Sequence, residues 1–256
     1  MWFDSHCHLH ICEQESSLAD LIGRAEAAGV HSLITLGTDV ASSRRAVAIA
    51  HDHGVYAGVG VHPNDADTWS DEAAAAIEGL LSDERVAAVG ETGLDFYREE
   101  VPADLQRVAF CAHVEMSKRH DKALVIHTRN SVLEVLDMLD SEGAPERLVF
   151  HCWSGDGAAL RRALTLGAYV SFAGNVSFRS AMDLRTVAAL MPGDRLLIET
   201  DSPYLAPEPR RGRPNEPANV VHVGRAVADA LGVGPEDIAR ATADNAVALF
   251  GLQGAG

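Results

Sequence analysis

The stretch Trp2-Phe3-Asp4-Ser5-His6-Cys7-His8-Leu9-His10 decides the fold. A short run that can pair as a strand stops abruptly on histidines. In a parallel barrel the strands end in this way at one face, because functional side chains collect at their C-terminal ends. Side chains alternate along a strand, so His6 and His8 point one way and Cys7 points the other. Two imidazoles on one face suit a first-row metal ion. The H-x-H pattern alone is common, and its weight depends on what the other strands deliver.

Working outward from residues 2–6, further strand-like runs lie at 32–36, 55–61, 86–91, 123–127, 147–151, 168–172 and 195–200. They are rich in Val, Ile, Leu and small residues, as parallel strands buried on both faces are. Amphipathic stretches between them predict helices over 17–28, 41–53, 71–81, 103–120, 131–141, 157–166 and 181–190, with two more over 217–231 and 235–249. This alternation predicts an α/β protein, a single (β/α)8 TIM barrel with an extra C-terminal helix. The 256 residues fit one such barrel, so one domain is expected over 1–256. Gly29, Gly54 and Gly167 are placed to end helices, and Pro217 and Pro235 to begin them. The Pro- and Arg-rich segment 202–216 reads as a loop after the eighth strand, not as a linker between domains.

Five of the eight predicted strands close on, or run into, a ligand-type polar residue. The first delivers His6 and His8, the fourth Glu91, the fifth His127, the sixth His151, and the eighth runs into Asp201. Each alone would read as a satisfied core polar group or a cap. Together, at the same ends of five strands, they read as a metal site. Four histidines and two carboxylates suffice for two divalent ions, with Glu91 as the bridge. Imidazoles suit zinc, with manganese, magnesium or nickel as alternatives. Two ions roughly 3.5–4 Å apart polarise a phosphoryl or carbonyl oxygen and activate water. Asp201, besides ligating, is a candidate proton shuttle, and Glu91 and Asp201 are the expected catalytic carboxylates. A carbamylated lysine as bridge is excluded, because Lys118 lies within a helix and Lys122 at the opposite end of the fifth strand.

The formal charge of −16 repels polyanions at long range. A nucleic-acid substrate would therefore need a local basic rim, for which Arg129, Arg179, Arg210, Arg211 and Arg213 are candidates. The four cysteines, Cys7, Cys12, Cys111 and Cys152, form no C-x-x-C pair and read as reduced thiols of a cytoplasmic protein. No apolar run is long enough to span a membrane, no secretion signal is expected, and no obligate protein partner is evident; a monomer is expected. His10 is in phase with His6 and His8 but reads as a loop residue. His51 and His53 close a helix and read as structural. His31 and His222 carry no motif. His113 and His120 are expected on the solvated side of their helix. Asp95 and Tyr97 could position substrate or brace a loop.

With these residues in place, the chain resembles the TatD family of metal-dependent deoxyribonucleases. The matching segments are Asp4–His8, Gly60-Val-His-Pro63, Gly90-Glu-Thr-Gly-Leu-Asp-Phe-Tyr97, Ile126-His-Thr128, His151-Cys-Trp-Ser-Gly155, Glu199-Thr-Asp-Ser-Pro-Tyr-Leu205, Asn215-Glu-Pro217, Thr242-Ala-Asp-Asn245 and Leu249-Phe250. The resemblance covers essentially the whole chain. It implies His6, His8, Glu91 and Asp201 around one ion, Glu91, His127 and His151 around the other, and His62 as a substrate contact beside Arg129. His10 stands where the family often has Asp, and Trp153 where Phe is common. The implied activity is exonuclease-like hydrolysis of DNA, at single strands or strand ends, since a barrel mouth suits a single strand better than a duplex. The same ligands would also serve another ester or amide, such as an aminoacyl-tRNA ester or a small metabolite. A non-catalytic metal- or partner-binding barrel is the third reading.

Overall fold

A computed structural model describes residues 1–98 and 100–252. The last four residues of the expected domain, 253–256, lie outside the described residues. The strands are β1 (Trp2–Cys7), β2 (Val30–Leu36), β3 (Tyr56–Val59), β4 (Val86–Asp95), β5 (Ala123–Arg129), β6 (Leu148–Phe150), β7 (Tyr169–Phe172) and β8 (Leu196–Ile198). The helices are α1 (Leu9–Cys12), α2 (Leu18–Ala27), α3 (Val40–His53), α4 (Asp71–Leu80), α5 (Ala103–His120), α6 (Val132–Glu142), α7 (Gly157–Thr165), α8 (Met182–Ala188), α9 (Val220–Leu231) and α10 (Pro235–Phe250). Three short 3-10 turns, Pro63–Thr68, Gly174–Ser177 and Pro217–Asn219, complete the elements.

The eight strands form one parallel sheet in chain order. Between β8 and β1 there is no ladder, only the parallel bridge of Cys7 with Ser202. Other hydrogen bonds hold this seam. Asp201 N donates to His6 O at 2.9 Å and His8 N to Ser202 O at 2.8 Å. Ser5 Oγ donates to Ile198 O at 2.9 Å. Thr200 donates its amide and its hydroxyl to the Asp4 carboxyl at 2.8 and 2.6 Å. Burial pushes the Asp4 carboxyl up to about 8, against the opposing pull of those Thr200 bonds. The barrel is thus nearly closed, and its weakest junction carries His6 and His8 on one side and Asp201 on the other.

The strands bury Val, Ile, Leu and Ala on both faces. A large apolar cluster lies between sheet and helices. A smaller one, including Ile34, Leu36, Ala88, Val125, Val149 and Leu197, is covered by α10 through Ala246, Leu249 and Phe250. Phe250 stacks on Phe3 with ring centroids 6.4 Å apart. The extra C-terminal helix therefore plugs the barrel end opposite the predicted ligands.

Several sequence expectations change, among them the end of strand four and the placing of two histidines on α5, while strands three and eight end earlier, at Val59 and Ile198. Strand four continues past Glu91 to Asp95. Gly90 and Gly93, at φ +133° and +144°, let the chain do so. A Cβ on Gly93 would fall inside contact distance of the His127 carbonyl oxygen, so this glycine is what lets β4 and β5 run together beside the ligands. His113 is not solvated but fully buried, with its Nδ1 on Ala109 O at 2.7 Å and Val61 N donating to its Nε2 at 3.0 Å. It shares the inner face of α5 with Gln106, Ala109, Phe110, Val114 and Ser117. His120 is half-buried and pairs with Glu78 at 2.9 Å. No helix among the described residues is long and apolar enough to cross a membrane, and all four cysteines are free.

Candidate metal centre

Glu91 sits at the middle of the barrel mouth, almost fully buried. Its two oxygens face two different pairs of imidazoles. Oε2 lies 3.2 Å from His6 Nε2 and 3.4 Å from His8 Nε2. Oε1 lies 2.9 Å from His127 Nδ1 and 2.7 Å from His151 Nε2. Within each pair the two ring nitrogens stand 3.2 Å apart. Asp201 Oδ1 approaches only the first pair, at 3.8 Å from His6 and 3.5 Å from His8. All six predicted ligands are thus brought together.

The outer nitrogens of these rings decide what the inner ones can do. His8 Nδ1 faces the Leu36 carbonyl at 3.0 Å. His151 Nδ1 faces Glu199 Oε1 at 3.2 Å, and His127 Nε2 faces Asp95 Oδ2 at 3.3 Å. Each outer partner accepts only, so each outer nitrogen carries the ring proton. The inner nitrogens then present lone pairs to a carboxylate that also has only lone pairs. Such an arrangement is repulsive unless positive charge lies between, which is the donor set of a divalent-metal site. The same demand for positive charge shows in the basicity of His8 and His151, where protons take the place of an ion, though not in His6, whose pKa burial lowers. Burial opposes a charged His8 ring, yet Asp201 and Glu91 outweigh it and push its pKa up to about 10. Burial likewise opposes a charged His151, and Glu91 and Glu199 drive its pKa well above the ordinary value. Burial would raise the Glu91 carboxyl, but the surrounding histidines, His151 foremost, hold it well below.

His62 differs. Asn64 N donates to its Nδ1 at 3.0 Å, which fixes the proton on Nε2. That Nε2 lies 3.5 Å from Glu91 Oε1. Burial lowers the pKa of His62 to about 3, so the ring is neutral and is a hydrogen-bond donor into the site, not a lone-pair ligand. His10, on α1, holds its ring edge-on to His8 at a centroid distance of 5.8 Å.

Two further carboxylates belong to this layer: Glu199, to which the sequence assigned no role, and Asp95, expected either to position substrate or to brace a loop. Glu199 holds His151 from behind while accepting from Cys152 N at 2.8 Å and Ser171 Oγ at 2.5 Å. Asp95 holds His127 with Oδ2, and its Oδ1 accepts from Tyr97 N at 2.9 Å and Arg98 N at 3.2 Å. Asp95 therefore braces the loop and a predicted ligand at once. A carboxylate next to Leu197-Ile198 in a buried strand was itself a signal, because a buried charge needs partners.

The centre opens into a cavity of about 630 Å³ whose walls include His62, Arg98, Arg129, Asn175 and Tyr204. Arg129 lies over the Tyr97 ring at 3.7 Å. The other predicted rim cations, Arg179, Arg210, Arg211 and Arg213, are exposed but do not line this cavity.

The sequence family described as TatD related DNase matches residues 3–251. An uncharacterized metal-dependent hydrolase TatD of Mycobacterium tuberculosis is 42% identical, over 97% of both chains. A protein of Cronobacter sakazakii named 3'-5' ssDNA/RNA exonuclease TatD is 34% identical, again over 97% of both. The crystal structure of YjjV, a TatD homolog of Escherichia coli K12, superposes with a TM-score of 0.92 at 27% identity, covering 98% of each chain. With a barrel mouth that gathers metal ligands and a match running nearly end to end, the chain belongs to the TatD family of metal-dependent hydrolases.

Proposed function

We propose that the whole chain, 1–256, works as one catalytic domain that hydrolyses phosphodiester bonds of DNA, at single strands or strand ends, with two divalent ions. The observation that carries this reading is the pair of imidazole sets meeting the two oxygens of Glu91. His6, His8 and Asp201 would hold one ion and His127 and His151 the other, with Glu91 shared. Zinc suits these donors best, with manganese, magnesium or nickel as substitutes. Bound ions would supply Lewis acidity towards a phosphoryl oxygen and make water more acidic.

The side chains do the rest. Asp201 Oδ1 is poised to accept the proton of the attacking water and to return it to the leaving oxygen. Histidines in the cluster keep this carboxyl below its ordinary range against the effect of burial, so it starts ionised. His62 donates its Nε2–H to a phosphoryl oxygen, with Asn64 fixing the tautomer. Arg129 neutralises a neighbouring phosphate at the mouth. The name of the Cronobacter relative supports a nucleic-acid substrate. The test is hydrolysis of an end-labelled single strand by His127→Ala and Asp201→Asn. Both should be inactive, and full activity in either overturns the mechanism. A chain that turns over aminoacyl or other carboxylic esters but no strand would overturn the choice of bond while keeping the site.

A further inference from the structure

The chain has four tyrosines. Tyr56 and Tyr169 are half-buried, beginning β3 and β7 at the barrel end away from the ligands. Tyr97 and Tyr204 are 61% and 53% exposed, and both stand at the mouth. Arginine over tyrosine does not by itself distinguish them, since Arg85 and Arg195 lie over Tyr56 and Tyr169. Their placement does. The Tyr204 ring is 6.2 Å from that of His8, in edge-on orientation, and Tyr204 lines the central cavity. Tyr97 is anchored through its backbone amide to Asp95, the carboxylate behind His127. Tyr204 thus sets an exposed ring beside His8, while Tyr97 follows the loop that Asp95 ties to the His127 side, its ring stacked under Arg129, which lines the cavity.

We propose that Tyr97 and Tyr204 are nucleobase-stacking walls, one for each side of the scissile phosphate, with Arg129 as the phosphate contact between Tyr97 and the centre. This rests on the nucleic-acid reading of the site. Every base offers a π-face, so aromatic walls hold a strand without reading its sequence. Guanidinium stacking keeps Arg129 extended over the ring while its N–H edge stays available to an anion. The walls also explain how a chain of −16 charge holds a polyanion: stacking and local contacts replace long-range attraction. Neither ring is needed for the fold, because each is mostly solvated and the Asp95 anchor uses only the Tyr97 main chain.

The experiment compares kcat/KM of the metal-loaded enzyme for a short single strand and for the same strand made abasic at its terminal nucleotides. Wild type should prefer the base-bearing strand. Tyr97→Ala and Tyr204→Ala should each shrink that preference on the order of tenfold or more, the double variant should nearly abolish it, and Tyr97→Phe and Tyr204→Phe should restore it. An unchanged preference in the alanine variants, or none in wild type, overturns the stacking walls while leaving a nuclease. A wild type that cleaves neither strand yet turns over a carboxylic ester overturns the nucleic-acid reading itself, and the walls with it.

Discussion

On the Oε1 side of Glu91 each imidazole is backed by a carboxylate, His127 by Asp95 and His151 by Glu199. On the Oε2 side His8 is backed by the Leu36 carbonyl, and the buried Nδ1 of His6 has no hydrogen-bond partner among the described residues. That side instead has Asp201 facing the ring nitrogens directly. Negative charge is thus placed behind the rings in one half and in front of them in the other. A carboxylate behind an imidazole fixes the ring and raises its basicity. A carboxylate in front, 13% exposed in its side chain, faces the space in which an ion and its water would sit. Under the proposed two-ion reading, ion retention would fall chiefly to the β5–β6 half and proton transfer to the seam between β1 and β8.

The largest expected effect breaks both halves together. Glu91→Gln should bring hydrolysis to background and lower bound metal, as measured by elemental analysis of the purified chain. Glu199→Gln breaks only the backed half. It should weaken metal binding on the order of 10- to 100-fold, read by titration of the metal-free chain, with Asp95→Asn acting in the same direction. Asp201→Asn should instead lower kcat more than it lowers metal content. If Glu199→Gln left metal affinity unchanged, the contrast between halves would collapse. Arg129→Ala should raise KM for an oligonucleotide several-fold with a smaller change in kcat.

The last effect lies outside the centre and concerns stability, at His113, a buried histidine whose two nitrogens are both satisfied. Burial lowers its pKa from 6.5 to about 4. The unfolded chain therefore binds the proton more readily than the folded one. The associated stability is fully present above pH 6.5 and is lost as pH falls from there towards 4. Between about pH 7 and about pH 5 the loss should be about 2 kcal/mol. Denaturant unfolding of wild type against His113→Phe at both pH values isolates it. Equal pH dependence in the two chains would show that His113 is not the group responsible.

Much of the centre was legible in sequence because strands impose a period of two and barrels gather their sites at one rim. His6, His8, Glu91, His127, His151 and Asp201 needed only those two rules. Glu199 shares the parity of Asp201, but nothing in the sequence reveals that it meets His151, a contact made across β6, β7 and β8. The end of β4 was misjudged because glycines that usually interrupt a strand here allow close approach to β5. His113 was misplaced although its spacing from Ala109, Phe110 and Ser117 marks one helix face; the buried side of that face depends on packing against Val61 and Trp69. Within the Arg-rich segment after β8, Tyr204 lines the cavity while Arg210, Arg211 and Arg213 do not, a distinction set by loop path, which composition does not encode.

A two-ion centre bridged by Glu91 is tested most directly by metal analysis of the purified protein coupled to hydrolysis of end-labelled single-stranded DNA with and without chelator. The expected result is two divalent ions per chain, strand shortening that chelation stops, and recovery when metal is restored. Full activity with fewer than two ions, or shortening that persists after chelation, would contradict it.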